Sequence, residues 1–276
     1  MRLFNKVAVI GTGLIGGSMA LAIRKKGLAG EVVGVSRHKE TLALAKKIGA
    51  IDKGSRELSI IRGADLVIFA APVKTILSLA DKARGFIPKE AIVTDVGSTK
   101  KQIAAKLEKI FPNYAGGHPL AGSEKRSIAN INAEMFKDSL CILTPREKTS
   151  PGALRKIKRL WNALGAKVYM MSPGRHDEIL SFVSHLPHAV AFSLAGSVPR
   201  KYMKFSASGL KDTTRVALSD PRLWTDIFLS NKRNMLKSIK AFEDNLSKIR
   251  SAIEKNDEGG LLEILLKEKK KRETLK

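Results

Sequence analysis

The stretch VAVIGTGLIGGS, residues 7–18, constrains the fold more than any other part of the chain. An apolar, β-rich run gives way at once to glycines at 11, 13 and 16, and then to helix-forming residues. In such a turn Gly11 allows the tight reversal, Gly13 lets a diphosphate approach the backbone, and Gly16 lets the helix pack on the strand. Leu14 and Ile15 open that helix, whose N-terminal N–H groups then face the phosphates. The spacing therefore predicts a dinucleotide site built from Gly11, Gly13, Leu14, Ile15 and Gly16, at the start of a doubly wound domain.

The next 150 or so residues agree with that start. KVAVIG, EVVGVS, ADLVIFAAP, AIVTDVGS, CILTP and AKVYMMS read as strands, most of them continuously apolar, as strands covered on both faces are. Helical stretches such as SMALAIRKKG, KTILSLADKARGF and TKKQIAAKLEKIF alternate with them. The alternation implies an α/β, mainly parallel, Rossmann-type sheet over residues 1–171. After about residue 172 the strands stop, and residues 172–276 read as an all-α domain. Within it Asp220 and Pro221 form an N-cap and first-turn pair, and GLLEILLKEKKKRE forms a last amphipathic helix. Apolar helices at the end of such a chain are expected to bury against a second copy, as a homodimer.

Composition narrows the function classes. The single cysteine, Cys141, excludes an intrachain disulfide and suits a reducing, cytoplasmic setting. The first apolar run is only a strand long, so no leader is expected, and no segment is expected to reach the length of a membrane span. The formal charge of +24 raises nucleic acid as a partner. The basic residues are dispersed, however, aromatics make up 5%, and no nucleic-acid motif spacing occurs, so no nucleic-acid partner is expected.

Two details bear on chemistry. About 20 residues beyond the glycines, where an acid would hold the ribose 2′-hydroxyl of NAD, the chain has Ser36, Arg37 and His38. A missing carboxylate beside a cation suits a 2′-phosphate, which points to NADP, with NAD as the alternative. GGHPLAGSEK, residues 116–125, fixes His118 between two glycines and a proline, and is expected to be a loop at the C-terminal end of the sheet. DVGS places Ser98 at the same end, where the pair serves proton transfer. In the helical half, His185 and His188 flank Pro187 and Arg215 lies in a polar patch. The two histidines lack the further ligands that zinc requires, so no metal is expected.

GTGLIGGS, DVGSTK, GGHPLAGSEK, SHLPHAVAF and KDTTRVALSDPRLWTDIFLSN, in this order, resemble the prephenate/arogenate dehydrogenase family of tyrosine biosynthesis over about residues 6–245. The resemblance implies oxidative decarboxylation of prephenate or arogenate with NADP or NAD. Carried over by position, His118 is the catalytic base, Ser98 steadies it, and Arg215, His188 and Ser123 bind substrate. Asp177 and Trp224 take supporting roles. The chain departs from many relatives at Ser36, where they carry aspartate, and at Arg126, which follows Glu-Lys. It is also expected to lack an appended regulatory domain. The main alternative is an NADP-dependent β-hydroxyacid-type dehydrogenase, which would use a helical lysine as its catalytic group. A charge-driven, nucleic-acid-binding redox sensor is the non-enzymatic alternative.

Overall fold

The computed structural model describes residues 2–121 and 130–275. Strand β1 (Phe4–Ile10) occupies the centre of a five-stranded parallel sheet whose order is β3-β2-β1-β4-β5. Its other strands are β2 (Ala29–Val35), β3 (Lys53–Ser55), β4 (Leu66–Phe69) and β5 (Ile92–Asp95). Helices α1 (Leu14–Lys25), α2 (Lys39–Lys47) and α3 (Val73–Ala83) and a 3-10 turn (Leu58–Ile61) make the connections, and α4 (Lys101–Ile110) leads out of the sheet after β5. Alternate residues of β1 serve opposite layers: Val7 and Val9 pack with Met19, Ile23 and Trp161, whereas Ala8 and Ile10 pack with Phe69, Val73 and Ile76. Strands buried on both faces require the continuous apolar runs seen in the sequence.

The chain then departs from a single parallel sheet. Tyr114 bridges to Val93 of β5, and the next residues form β6 (Gly116–Leu120) in a second sheet of order β6-β7-β8. Here β7 (Leu140–Thr144) runs antiparallel to β6 and parallel to β8 (Lys167–Met170), with α5 (Pro151–Ala163) between the last two. His118 is thus a strand residue, paired with Ile142, and the expected loop is corrected. Two glycines and a proline argue against a strand locally, but tertiary pairing overrides propensity, and Pro119 is tolerated because β6 is an edge.

From Pro173 onward the chain is helical. A continuous run joins α6 (Pro173–Leu180), a π-helical turn (Ser181–His185) and α7 (Leu186–Ser197). By length and composition alone this run, Pro173–Ser197, could cross a membrane, which corrects the expectation that no segment reaches that size. It nevertheless carries Arg175, His176, Asp177 and Glu178 near its start, and His176 and Asp177 are buried. Helices α8 (Ser208–Thr214) and α9 (Pro221–Ser230) follow, and Asp220 caps α9 by accepting the Arg222 N–H at 2.8 Å.

By contacts the chain forms two compact units, Met1–Asn231 and Lys232–Lys276, so α6 to α9 belong with the sheets. Two carboxylates fasten them there. Neither α3 nor α4 has a side-chain cap of its own. Asp226 of α9 accepts the Lys74 N–H of α3 at 3.1 Å, and Asp177 of α6 accepts the Lys100 and Lys101 N–H groups of α4 at 2.7 and 2.9 Å. Each acid also meets the positive end of a helix dipole. The second unit is a hairpin of α10 (Lys232–Glu254) and α11 (Glu258–Glu273), with Asn256 at φ 51° in its turn and Asp257 capping α11.

Candidate active site

The glycine turn has the shape its sequence implies. Gly11 sits at φ +103°, and a Cβ there would meet the Ala70 carbonyl oxygen at 2.1 Å. At Gly16 an added Cβ would lie 2.0 Å from the Gly11 oxygen, so the helix seats on the turn only without a side chain. Gly13 faces open space, and α1 begins there with no side-chain cap. Thr12 Oγ1 beside it is buried without a partner among the described residues. Uncapped N–H groups, a bare Cα and an unanswered hydroxyl fit a diphosphate. A cavity of about 420 Å³ opens from Gly13, Leu14 and Ile15 toward Ser98 and His118.

Ser36 follows β2 directly and accepts the His38 N–H at 3.3 Å, while Arg37 and His38 are exposed at the same rim. The parallel register sets Val35 beside Ser55. Arg56, also exposed, therefore leaves the neighbouring strand next to Ser36 and Arg37. Sequence reading did not single out Arg56, because only the pairing of β2 with the three-residue β3 brings it there.

A second cavity of about 450 Å³ shares Ser98, His118, Pro119, Ala121 and Leu223 with the first. His185, His188 and Trp224 line its helical side. His188 stacks on Trp224 with ring centroids 3.5 Å apart. Its Nδ1–H donates to the Ser184 carbonyl at 2.9 Å, so a neutral His188 presents a bare Nε2. His185 is wired the other way: Asn231 Nδ2 donates to His185 Nδ1 at 3.2 Å and to the Asp177 carbonyl at 2.7 Å, which leaves the proton on His185 Nε2. His185 ends the π-turn, directly ahead of Leu186 and Pro187, whereas His188 lies within α7. Burial lowers both rings, His185 to about 4, and Arg215 adds to the effect on His188. Arg215 itself is exposed, next to Val216 of the cavity wall. Ser123 and Arg126 lie outside the described residues.

What the fold assembles beneath His118 has little local signature in the chain. His118 Nδ1 lies 2.9 Å from His176 Nε2, and His176 Nδ1 lies 2.8 Å from Asp177 Oδ1. The ring's hydrogen bond thus goes to His176, while Ser98 stands beside it on the shared wall. Lys100, fully buried, pairs with Asp95 and donates to the Gly117 carbonyl at 2.8 Å, and Tyr114 donates to Asp95 at 2.7 Å. Burial first, then His176, Lys100 and His185, holds His118 well below its ordinary pKa. Burial also lowers His176 against the pull of Asp177. For Asp177 burial acts upward, but the His176 bond and the two helix N–H groups outweigh it and leave the carboxyl below its usual range. The arrangement offers a neutral imidazole between a dinucleotide cavity and a second, aromatic-walled cavity.

Comparisons with known proteins identify the family. The family model described as prephenate dehydrogenase, nucleotide-binding domain, matches residues 19–170, and that described as prephenate dehydrogenase, dimerization domain, matches 172–267. The prephenate dehydrogenase of Bacillus subtilis is 36% identical over 92% of this chain and 71% of its own length. The cyclohexadienyl dehydrogenase of Zymomonas mobilis is 35% identical over 100% of this chain and 98% of its own. The crystal structure of A. aeolicus prephenate dehydrogenase with hydroxyphenyl propionate and NAD+ superposes with a TM-score of 0.93 at 36% identity, covering 99% of this chain and 98% of that one. Arogenate dehydrogenase from Synechocystis gives a TM-score of 0.82 at 30% identity, covering 97% and 99%. The chain belongs to the prephenate dehydrogenase family.

Proposed function

We propose that His118 is the general base of this nicotinamide-dependent prephenate or arogenate dehydrogenase. The observation that carries the reading is that His118 and Ser98 stand on the wall common to both cavities, one leading from the glycine turn and one walled by His185, His188 and Trp224. A dinucleotide held at Gly11, Gly13 and Gly16 would supply an oxidised nicotinamide as hydride acceptor for the ring carbinol carbon. His118 takes the hydroxyl proton at that carbon as the carbonyl forms, and Ser98 shares the hydroxyl's hydrogen bonding. The ring carboxylate then departs as carbon dioxide, its bonding electrons complete the aromatic ring as the carbonyl π pair moves to oxygen, and that oxygen takes back the proton held by His118. Trp224 and His188 hold the ring, Arg215 binds a substrate carboxylate, and Ser123 is read as a further substrate-binding residue. Orientation supplies much of the rate, since aromatisation is itself downhill.

We also read the cofactor as NADP. Ser36 brings no negative charge to the 2′ position, and the exposed Arg37 and Arg56 leave neighbouring strand ends as phosphate forks. By role we assign the dinucleotide domain to 1–171 and the helical substrate and dimerisation domain of a cytoplasmic homodimer to 172–276, although α6 to α9 pack with the sheets. Exposed Val183, Phe205 and Leu218, at 64%, 75% and 78%, are apolar surface of the kind a second copy covers. The test is absorbance of the reduced nicotinamide with prephenate and arogenate each crossed against NADP and NAD. Rapid reduction is expected with at least one NADP pair. No reduction with any pair, from folded protein that binds dinucleotide, overturns the reading in favour of the β-hydroxyacid type.

A further inference from the structure

We propose that His176 is a positioning residue: together with Asp177 it fixes which ring nitrogen of His118 carries the proton, so that the base presents Nε2 to the substrate. This rests on His118 being the base, as read above.

The argument begins at the far end of the chain of contacts. Asp177 accepts the N–H groups of Lys100 and Lys101, a setting that favours the ionised, acceptor-only carboxylate. His176 Nδ1, 2.8 Å from Asp177 Oδ1, must therefore be the donor. A neutral His176 then has a bare Nε2, and the 2.9 Å contact to His118 Nδ1 exists only if His118 donates. With its proton on Nδ1, His118 has its lone pair on Nε2, the nitrogen left for the shared cavity wall. Neutrality of His176 has a physical cause, because the buried Lys100 ammonium and burial itself oppose a second cation there. The groups facing this pair are Lys100, Asp95, Asp177 and His185, and the first and last also oppose charge on His118. When His118 gains its proton, the Nδ1–H···His176 bond becomes charge-assisted and passes part of the charge toward Asp177. The acid thus does for two rings in series what an orienting carboxylate does for one.

Three features distinguish this from a merely structural pair. His176 is fully buried and touches neither cavity, so it has no access to substrate. Its two ring nitrogens are used in opposite senses, which requires one tautomer. Finally, Asp177 accepts two backbone N–H groups besides the His176 bond, so groups that do not titrate help to hold it as an acceptor.

The experiment is imidazole nitrogen NMR of protein labelled with 15N-histidine, saturated with NADP, alongside the kinetics of His176→Phe and His176→Gln. Wild-type His118 is expected to bear its proton on Nδ1 with a bare Nε2. His176→Phe, which removes the acceptor, should give a mixed tautomer signal and lower kcat on the order of 10- to 100-fold, the scale found when outer partners orienting a histidine are lost. Its KM for dinucleotide should not change. His176→Gln, whose Oε1 replaces the lost acceptor, should recover most of the rate and the Nδ1–H signal. A wild-type His118 protonated on Nε2, or a His176→Phe kcat within about twofold of wild type, overturns the inference. The wild-type spectrum decides even if a variant misfolds. It also needs no turnover, so its failure is separable from absence of dehydrogenase activity.

Discussion

At the residue scale a general base must be neutral at working pH, and at His118, the residue proposed for that role, burial together with two neighbouring histidines and Lys100 acts in that direction. Because its pKa is lowered, the deprotonated form persists below the ordinary histidine value of 6.5. A pH profile of kcat/KM should therefore run level through neutrality and fall only below pH 6.5, and an acid limb centred above that value would contradict the burial argument. Replacing His118 with Asn should cost about 10²- to 10⁴-fold in kcat while dinucleotide binding, followed by fluorescence quenching, holds. His118 was legible in the sequence, because two glycines and a proline frame it. Lys100 was not: TKK offers two adjacent lysines, and nothing but burial separates the enclosed Lys100 from the exposed Lys101. His176 and Asp177 were equally hard to read as a pair, since adjacent helical positions point about 100° apart and a bridge between them goes against the helix's own spacing.

At the scale of elements, strands β1, β2, β4 and β5 follow from apolar runs, and α1 from its glycines. The three-residue β3 and the strand carrying His118 escaped because their pairing, not their composition, makes them strands. The caps escaped for a related reason. The acid serving α3 comes from 152 positions away and the one serving α4 from 77, far beyond any local capping signature. Asp226→Ala should cost about 1–2 kcal/mol, the range of a lost cap, and lower Tm by about 2–4 °C per kcal/mol, read by calorimetry. The π-turn carries a pH cost of its own. His185 titrates at 6.5 unfolded and about 4 folded, so its contribution is complete above pH 6.5 and is lost as pH falls toward 4. Thermal melts should show a downward slope across that window, and His185→Gln should flatten part of it.

At the scale of the molecule, the formal charge of +24 finds a use that needs no nucleic acid. Substrate and dinucleotide are both anionic, and a strongly positive surface accelerates their encounter at low ionic strength. Raising salt from about 0.02 to about 0.5 M should lower kcat/KM severalfold with little change in kcat, because exposed charges more than a Debye length away are screened. Equal losses in both would point to a salt-sensitive site instead. Dispersed basic residues, and their general preference for anions, were visible in the sequence; the cavities those anions would enter were not.

The manner in which α6 and α9 are fastened has a consequence for how the chain tolerates change. Asp177 and Asp226 grip main-chain N–H groups of α4 and α3, and the exposed side chains at Lys101 and Lys74 take no part in the grip. Sequence drift is thus permitted at positions 74 and 101 and forbidden at the acids that grip them, while Lys100, whose N–H is gripped too, is fixed by its own buried side chain. A saturation library should accept nearly every residue at 74 and 101 except proline, which has no N–H to give, while positions 177 and 226 should hold to their acids.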